Sequence, residues 1–325
     1  MKLVIGLVAY GDSSLKYFSK TLPALQAALS FLPDNNFLVK IFDNSEPGDY
    51  RNQELIATSY PDFQFLSRSQ NLGFARAYNI LIRSAKKDGA TYFLMLNPDV
   101  LLEKDTIKKL IEFLDGDGSI SSACPKLYRW PFPKNPEHKI IDTCGLVLSP
   151  GLRFSDLGQG KVDDGSFDNL EIIGPSGAAG IFRLSALLLI ATGKAGEEQY
   201  FDERMFMYKE DCDLAYRLFL AGQRSACVSE AAAWHDRSAA DPGQGFIATL
   251  RDRKNKSKNV RRWSFVNQHL LFSKHFSRQN LFSKAIIIKS SLGMFIFALF
   301  REPFLMKEYY SIFTNIKENY KNKDR

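Results

Sequence analysis

The stretch YFLMLNPDV, residues 92–100, decides the interpretation of the fold. It begins with five apolar residues, which are typical of a buried strand, and the polar turn Asn97-Pro98-Asp99 follows where that strand ends. Further strands are predicted at 3–9, 37–42 and 63–66, and helical patterns at 15–32 and 74–87 separate them. Strands that alternate with helices indicate right-handed βαβ units. The sequence therefore predicts an α/β fold with a mostly parallel central sheet flanked by helices.

Two carboxylates directly follow predicted strands. Asp43 comes after the strand at 37–42, and Asp99 comes after the strand at 92–96. Ligands of parallel α/β sheets bind beyond the carboxyl ends of the strands. We therefore expect Asp43 and Asp99 to point into one crevice.

The pattern is weaker after residue 120. Residues 121–175 are rich in Pro, Gly and Asp and are predicted to be irregular, without repeats or low-complexity segments. Helices are predicted at 181–191 and 207–220, and a short strand at 226–228 leads to Trp234 and His235.

Composition excludes several classes of protein. The chain has 325 residues, 45% hydrophobic and 24% charged, which excludes a disordered, collagen-like or coiled-coil protein. Four cysteines lie far apart without a CxxC pair, which argues against a zinc ribbon, a thioredoxin-type motif and a disulfide scaffold. The beginning of the chain lacks a signal-peptide pattern. We expect a reduced protein that faces the cytoplasm.

Charge is distributed unevenly along the chain. The total is +7, but residues 251–325 carry 17 Lys and Arg against 5 Asp and Glu, so residues 1–250 are mildly acidic. Confinement of the excess to one end argues against a nucleic-acid-binding protein. The basic run 251–262 and the apolar run 285–300 favour the anionic cytoplasmic surface of a membrane.

The apolar run 285–300 has sixteen residues and contains Lys289. It is shorter than the roughly 20 residues of a spanning helix, so a helix lying in the membrane interface is predicted. The alternative is an amphipathic helix that packs on the body or at a dimer contact, preceded by a solvated charged loop.

Two short motifs lie at predicted strand or helix ends in the first half of the chain. NLGFARAYN, 71–79, is a glycine turn that opens a helix, where free amides can bind a diphosphate; the alternative is an ordinary turn. It does not fit GxGxxG, which argues against a dinucleotide site. In LNPDV, Asp99 could hold Mg²⁺ or Mn²⁺ together with substrate phosphates and water, and the alternative is again a turn.

Two further motifs lie in the second half. Glu210, Asp211 and Asp213 cluster near a helix start, where the helix dipole favours acids and where one acid could serve as a general base. Asp213 and Arg217 are spaced as a structural ion pair. His235 follows a strand and could bind a divalent metal or could be a packed histidine. The remaining histidines are expected to be structural: His138, His269 and His275.

Together these motifs resemble the family 2 glycosyltransferases of the GT-A fold, most closely their bacterial rhamnosyltransferase and galactofuranosyltransferase branch. The resemblance covers about residues 2–240. The residues that carry it are Asp43-Asn44-Ser45, 71–75, Asn97-Pro98-Asp99, 177–180, 210–213 with Arg217, and Trp234-His235.

The resemblance implies roles for individual residues. Asp211 matches the catalytic base, and Glu210 is expected to position the acceptor. Asp99 matches the last acid of the metal-binding DxD, with His235 as a second ligand of Mg²⁺ or Mn²⁺; Asn97 and Pro98 depart from that motif. The residues implied to bind the donor are Asp43, Asn71, Gly73, Arg76, Asn97, Ala178 and Gly180.

The activity implied is an inverting, metal-dependent transfer of a sugar, with rhamnose from its dTDP donor expected. The expected acceptor is a saccharide on a polyprenyl-diphosphate lipid in bacterial surface-polysaccharide (O-antigen-like) synthesis, at the inner face of the cell membrane. A UDP-hexose or UDP-galactofuranose transferase and a non-catalytic nucleotide-sugar-binding scaffold are the alternatives, and a homo-oligomer stays open.

A division of the chain follows from the same reasoning. Residues 1–250 are expected to form the transferase domain, with a nucleotide-sugar half at about 1–120 and an acceptor half at about 121–250. Residues 251–325 are expected to form a basic, partly apolar helical extension.

Overall fold

A ten-stranded sheet lies at the centre of the molecule. The computed structural model describes residues 2–33, 36–68, 70–130, 139–168, 170–237, 253 and 256–321. The strands are β1 Leu3–Ala9, β2 Phe37–Asp43, β3 Gln64–Ser67, β4 Tyr92–Leu96, β5 Val100–Leu102, β6 Ile120–Arg129, β7 Ile141–Thr143, β8 Leu146–Ser149, β9 Arg153–Asp156, β10 Glu171–Ile172, β11 Ala179–Arg183 and β12 Arg224–His235. The strand order of the sheet is β10-β12-β6-β11-β4-β1-β2-β3, with β5 and β7 paired to β12 and β6, and β8 and β9 form a separate hairpin.

Helices cover both faces of this sheet. They are α1 Gly11–Leu29, α2 Arg51–Ser59, α3 Gly73–Lys87, α4 Thr106–Gly116, α5 Leu184–Leu189, α6 Glu210–Leu220, α7 Lys258–His275, α8 Leu281–Arg301 and α9 Glu308–Lys321. Phe18 and Leu110 pack on one face of the sheet, and Tyr78 and Leu81 pack on the other. Burial on both faces explains why β1 and β4 are continuous apolar runs.

The predicted fold class is confirmed. β3, β2, β1 and β4 are parallel neighbours in that order, and β12 is parallel to β6. The parallel register places Ala9 opposite Asp43, so the carboxyl ends of β1 and β2 lie at one edge of the sheet. The C-terminal region is helical, as expected.

The second half of the chain differs from the sequence-based expectation in several places. Residues 121–175 are not irregular, because most of β6 and all of β7 to β10 lie within them. The helix predicted at 181–191 begins only at Leu184, because Ala179–Arg183 is a strand between β4 and β6. A strand buried on both sides has no alternation that distinguishes it from a buried helix. The short strand predicted at 226–228 is part of the twelve-residue β12.

The C-terminal helices pack on the body of the molecule. Leu270 and Leu271 of α7 share a core cluster with Leu146 and Tyr216. An ion pair and a hydrogen bond join the same surfaces, since Lys274 and His275 each contact Asp213 at 2.8 Å. The boundary predicted near residue 250 falls outside the described residues.

Part of the basic run 251–262 is paired within the molecule. Arg253 and Arg261 contact the buried carboxylate of Glu302 at 2.6 and 3.1 Å, and Arg262 contacts Glu308 at 2.8 Å. Arg261 and Arg262 of α7 therefore fix the end of α8 and the start of α9, which is a structural task that was not predicted from the sequence. Residues 251, 252, 254 and 255 lie outside the described residues.

Candidate active site

A cavity of about 750 Å³ opens at the carboxyl ends of the central strands. Asn97, Pro98 and Asp99 reach it from the turn after β4, and His235 reaches it from the last position of β12. The segment from Phe206 to Cys212, which contains the start of α6, forms another part of its lining. Asp99, His235, Glu210 and Asp211 therefore share one cavity, although they are distant in sequence.

Asp99 and His235 face each other inside this cavity. The Nε2 atom of His235 lies 3.5 Å from Oδ1 of Asp99, which is longer than a normal hydrogen bond. The opposite ring nitrogen, Nδ1, lies 2.8 Å from Oδ2 of Asp142, and this contact fixes the orientation of the ring. β12 is paired with β5 so that His235 stands opposite Val100, and this pairing brings the histidine beside the Asp99 turn.

The carboxylates around His235 favour the protonated, positively charged form of its ring. Burial alone would lower the pKa of His235, but the hydrogen bond with Asp142 and the charge of Asp99 outweigh it and raise the pKa to about 9. The imidazole is therefore cationic at neutral pH in the protein without metal.

Asp99 and His235 fit a divalent metal ion. Oδ1 of Asp99 is buried and has no hydrogen-bond partner among the described residues. A carboxylate oxygen and an imidazole nitrogen 3.5 Å apart would be able to hold one divalent cation between them, since both are ligand types that such cations accept. No group of three His, Cys, Asp or Glu that could hold a metal is found in the described part of the chain. The rest of a metal shell would have to come from substrate phosphates and water.

Further charged groups that were not predicted from the sequence surround this pair, and two of them, Arg237 and Asp156, also line the cavity. Arg237 contacts Asp142 at 3.0 Å and Asp156 at 2.9 Å, and Tyr17 donates a hydrogen bond to Asp236 at 2.7 Å. Arg237 could have been found from the sequence, because it lies only two residues after the candidate ligand His235. Asp142 and Asp156 lie in the segment that was predicted to be irregular, and no sequence pattern there indicated a role for them.

Asp211 and Glu210 begin α6 at the cavity. Oδ2 of Asp211 accepts a hydrogen bond from the backbone N–H of Gly177 at 3.0 Å, which joins α6 to the turn before β11. Glu210 is buried, and Oε2 has no partner among the described residues. Burial, together with the neighbouring charge of Asp211, raises the pKa of Glu210 well above its ordinary value. This favours the protonated form, which can donate a hydrogen bond into the cavity.

Asp213 lies outside the lining of the cavity. Its ion pair with Arg217 is confirmed at 2.8 Å, and Lys274 and His275 complete a buried network around it. His275 is structural, as predicted, and so is His269, which is packed against Phe265 and Tyr309. His138 lies outside the described residues.

The residues predicted to bind the donor divide into two groups. Asn71, Asn97 and Ala178 line the cavity. Asp43, Gly73, Arg76 and Gly180 do not. Asp43 is buried beside the cavity wall residue Asn44, and its Oδ1 accepts hydrogen bonds from the backbone N–H and the hydroxyl of Ser45, so its role toward a donor stays a prediction.

The other three residues outside the lining have visible structural tasks. Gly73 has φ +77°, and a Cβ atom there would lie 2.5 Å from the carbonyl oxygen of Phe206. A Cβ atom on Gly180 would lie 2.5 Å from Cβ of Pro175. Arg76 is exposed and pairs with Glu203 at 3.2 Å. Both glycines thus permit close approaches of chain segments behind the cavity.

Comparison with known proteins identifies a similar family and similar solved structures. Residues 18–162 match the family model described as Glycosyl transferase family 2. A search of curated proteins gives no match. The structure superposes on S. aureus TarS 1–349 with a TM-score of 0.50 and 16% identity, covering 99% of this chain and 92% of that one. S. aureus TarS 1–349 in complex with UDP gives a TM-score of 0.50, 18% identity and the same coverage.

Two further solved structures are longer than this chain. GalNAc-T7 with UDP, GalNAc and Mn²⁺ gives a TM-score of 0.50 and 10% identity, covering 83% of this chain and 51% of that one. The chain spans 44% of a longer S. aureus TarS structure, at 17% identity, 86% coverage of this chain and a TM-score of 0.48. The likenesses at a TM-score of 0.50 show the fold, and the family match adds the activity class. The protein has the fold of these structures, residues 18–162 are similar to glycosyl transferase family 2, and the activity that both findings indicate is that of a glycosyltransferase.

Proposed function

We propose that this glycosyltransferase is metal-dependent and inverting, and that it moves a sugar from a nucleoside diphosphate to an acceptor hydroxyl. The observation that carries the proposal is the shared cavity, in which a metal-compatible pair, Asp99 and His235, lies together with a carboxylate at a helix start, Asp211. The pair suits the diphosphate of a donor, and the carboxylate suits a hydroxyl nucleophile.

The charged residues around Asp99 and His235 suit the binding of the donor's diphosphate. Asp99 and His235 would hold Mg²⁺ or Mn²⁺, and a bound cation neutralises the charge that grows on the leaving diphosphate. Asp142 holds the ring of His235 in place, and Arg237 holds Asp142. Asn71, Asn97 and Ala178 would contact the donor, because they line the same cavity.

The acceptor side uses α6. Asp211 takes the proton of the acceptor hydroxyl as its oxygen bonds to the anomeric carbon, while the bond from that carbon to the diphosphate oxygen breaks. Attack on the face opposite the leaving group inverts the anomeric centre. Glu210 can donate a hydrogen bond to the acceptor. A glycosidase would instead need two carboxylates flanking the bond that breaks.

The donor sugar rests on the sequence resemblance, which favours rhamnose from dTDP-rhamnose. A UDP-hexose or UDP-galactofuranose is the second candidate, because the TarS 1–349 and GalNAc-T7 structures named above hold UDP. The proposed acceptor is a saccharide on a polyprenyl diphosphate, as in the assembly of bacterial O-antigen-like polysaccharides.

A lipid-linked acceptor requires a protein that works at a membrane surface, and α8 has a suitable face. One stripe along α8 is apolar and exposed, while Ile287 and Ala298 on the opposite side are buried. The stripe consists of Leu281, Ile288, Leu292, Phe295, Ile296 and Leu299. At 100° per residue, Lys284 and Lys289 flank it on either side, an arrangement typical of helices that lie in the interface.

By length and composition alone, α8 could also cross a membrane, because it has 21 mostly apolar residues. Only 17% of its most apolar 18-residue window is buried in the protein. We favour the surface orientation, because the opposite face of α8 packs on the protein. Peripheral attachment to the inner face of the cell membrane is therefore part of the proposal.

The first test is calorimetric titration of the full chain with dTDP and with UDP, each in Mn²⁺ and in EDTA. Metal-dependent preference for dTDP supports the rhamnosyl donor, and preference for UDP supports the second candidate. Absence of binding to both nucleotides would contradict the proposal.

Two variants test the proposed metal ligand Asp99 and the proposed general base Asp211 separately. D99A should lose the metal-dependent part of nucleotide binding and keep the part measured in EDTA. D211N should bind nucleotide as the wild type does and lose transfer by about 10²–10⁴-fold, because a general base contributes that much. A wild-type chain that binds nucleotide sugar without transferring it would instead be a non-catalytic scaffold.

A further inference from the structure

The segment immediately before α6 has an unusual backbone. Tyr208 and Lys209 are consecutive residues with φ of 73° and 71°, and both line the cavity. Such left-handed conformations are uncommon for residues with a side chain, and two in succession must be held by surrounding contacts. Because α6 begins at Glu210, this segment sets the position of Glu210 and Asp211.

The contacts that hold the segment come from α7. Asn267 is buried on α7, and its side-chain amide donates hydrogen bonds to the carbonyl oxygens of Met207 at 2.9 Å and Tyr208 at 2.7 Å. One amide group thus fixes two successive peptide units where the backbone turns left-handed. Asn267 does not line the cavity, so it acts on the site only through this segment.

The other side of the same segment is fixed to the donor side of the cavity. The backbone N–H of Phe74 donates to the carbonyl oxygen of Phe206 at 2.8 Å, and the ring of Phe206 stacks on Trp263 of α7 at 4.8 Å. Residues 206–209 are therefore held between the start of α3 and α7. With Asn267 removed, the contacts of Phe206 remain, but the carbonyl oxygens of Met207 and Tyr208 lose the hydrogen bonds that the amide donates.

We propose that Asn267 is a positioning residue for the transfer reaction, which sets the start of α6 so that Asp211 meets the acceptor hydroxyl. The inference rests on the proposed function of Asp211. It also makes α7 part of the catalytic apparatus, although α7 lies in the basic C-terminal extension, outside the motifs that carry the family resemblance.

The test compares the full-length wild type with N267A, and with N267D if N267A does not fold; N267D keeps the size of the side chain but cannot donate. We expect kcat to fall about 10- to 100-fold, because small displacements of reacting groups cost that much. The Kd for nucleotide in Mn²⁺ should stay within about twofold, since that binding site is not moved. Hydrogen exchange of amides 205–213 should become faster, while exchange in β1 and β4 should not.

The matched control is Q279A. Gln279 follows α7 and donates to the hydroxyl of Tyr216 at 2.7 Å, but it does not line the cavity. Its removal should lower the melting temperature without changing kcat, so it shows what a purely structural contact of the C-terminal segment does.

Either of two results overturns the inference: an N267A enzyme with the kcat of the wild type, or unchanged exchange of amides 205–213. A wild-type chain that transfers no sugar rejects the proposed function, and with it the catalytic role of Asn267. The exchange experiment still decides, without activity, whether Asn267 holds the segment.

Discussion

At the scale of single residues, Gly73 has a packing task that its sequence motif did not indicate. The sequence suggested that a glycine at the start of α3 lets a diphosphate approach the backbone. In the structure Gly73 does not line the cavity, and the atom that approaches it is the carbonyl oxygen of Phe206. The glycine is therefore required by packing between the start of α3 and the segment before α6.

Gly73→Ala should consequently destabilise the protein more than a left-handed glycine that has open space. The control is Gly89→Ala, because Gly89 has φ +70° and nothing within 4 Å of an added Cβ atom. We expect G89A to cost about 1–2 kcal/mol of unfolding free energy, from backbone strain alone. G73A should cost more and should also weaken nucleotide binding, as urea unfolding and calorimetry would measure. Equal costs for the two variants would contradict the packing argument.

Several site residues could be predicted because their signal is local. The sequence placed Asp99 at a strand end and His235 after a strand, and the structure brings the two side chains to 3.5 Å. Asp142 could not be predicted, because its task depends on how β6, β7 and β12 align and no local pattern records that alignment. Asp43 follows the same local rule, but it does not line the cavity, and Ser45 donates two hydrogen bonds to its Oδ1.

At the scale of elements, the first half of the chain was predictable and the second was not. β1 and β4 were predicted with the bounds that the structure gives, since turns and helices delimit short apolar runs there. β6 carries Ser121, Ser122 and Lys126 in buried positions, so its sequence lacks a strand pattern. Lys126 is tolerated there because Asp163 and Asp168 neutralise it.

The junction of α6 and α7 depends on a buried charge. Burial alone would raise the pKa of Asp213, but Lys274, Arg217 and His275 outweigh it and hold the pKa well below its ordinary value. Asp202, in the same network, has its pKa lowered to about 2, because Arg204 and Lys274 outweigh its burial. Carboxylates with lowered pKa values stabilise the fold above the unfolded-state pKa of about 3.9, and this stability is lost as the pH falls toward the folded-state values.

D213N should therefore lower the free energy of unfolding at pH 7 by about 3–5 kcal/mol, because it leaves buried cations without their partner. The wild type should lose stability as the pH falls from about 4 to about 2, and D213N should lose less over that range. E112Q is the control, since Glu112 forms an exposed pair with Lys108 at 3.7 Å and should matter by about 0.5 kcal/mol or less. Urea unfolding at pH 7 and pH 3 measures both, and parallel pH profiles for wild type and D213N would refute the argument.

At the scale of the whole molecule, charge and apolar surface are concentrated in the C-terminal helices. The basic excess of residues 251–325 is partly used internally, since Arg253 and Arg261 pair with Glu302. Most of the apolar stripe of α8 stays exposed, although Phe295 contacts Tyr309 of α9, and Lys284 and Lys289 flank the stripe on either side. A membrane surface accounts for the stripe and the lysines together, whereas a dimer contact would account for the stripe alone.

We expect the protein to bind vesicles containing phosphatidylglycerol and salt to weaken the binding, because exposed charges are screened. L292D should reduce binding at least about tenfold, since it places a charge in the apolar stripe. L189D is the control, because Leu189 is equally exposed but lies on α5. Vesicle sedimentation at low and high salt measures the effect. If L292D instead dissociated a dimer and left vesicle binding unchanged, the stripe would be a contact between copies of this chain, and the membrane proposal would be wrong.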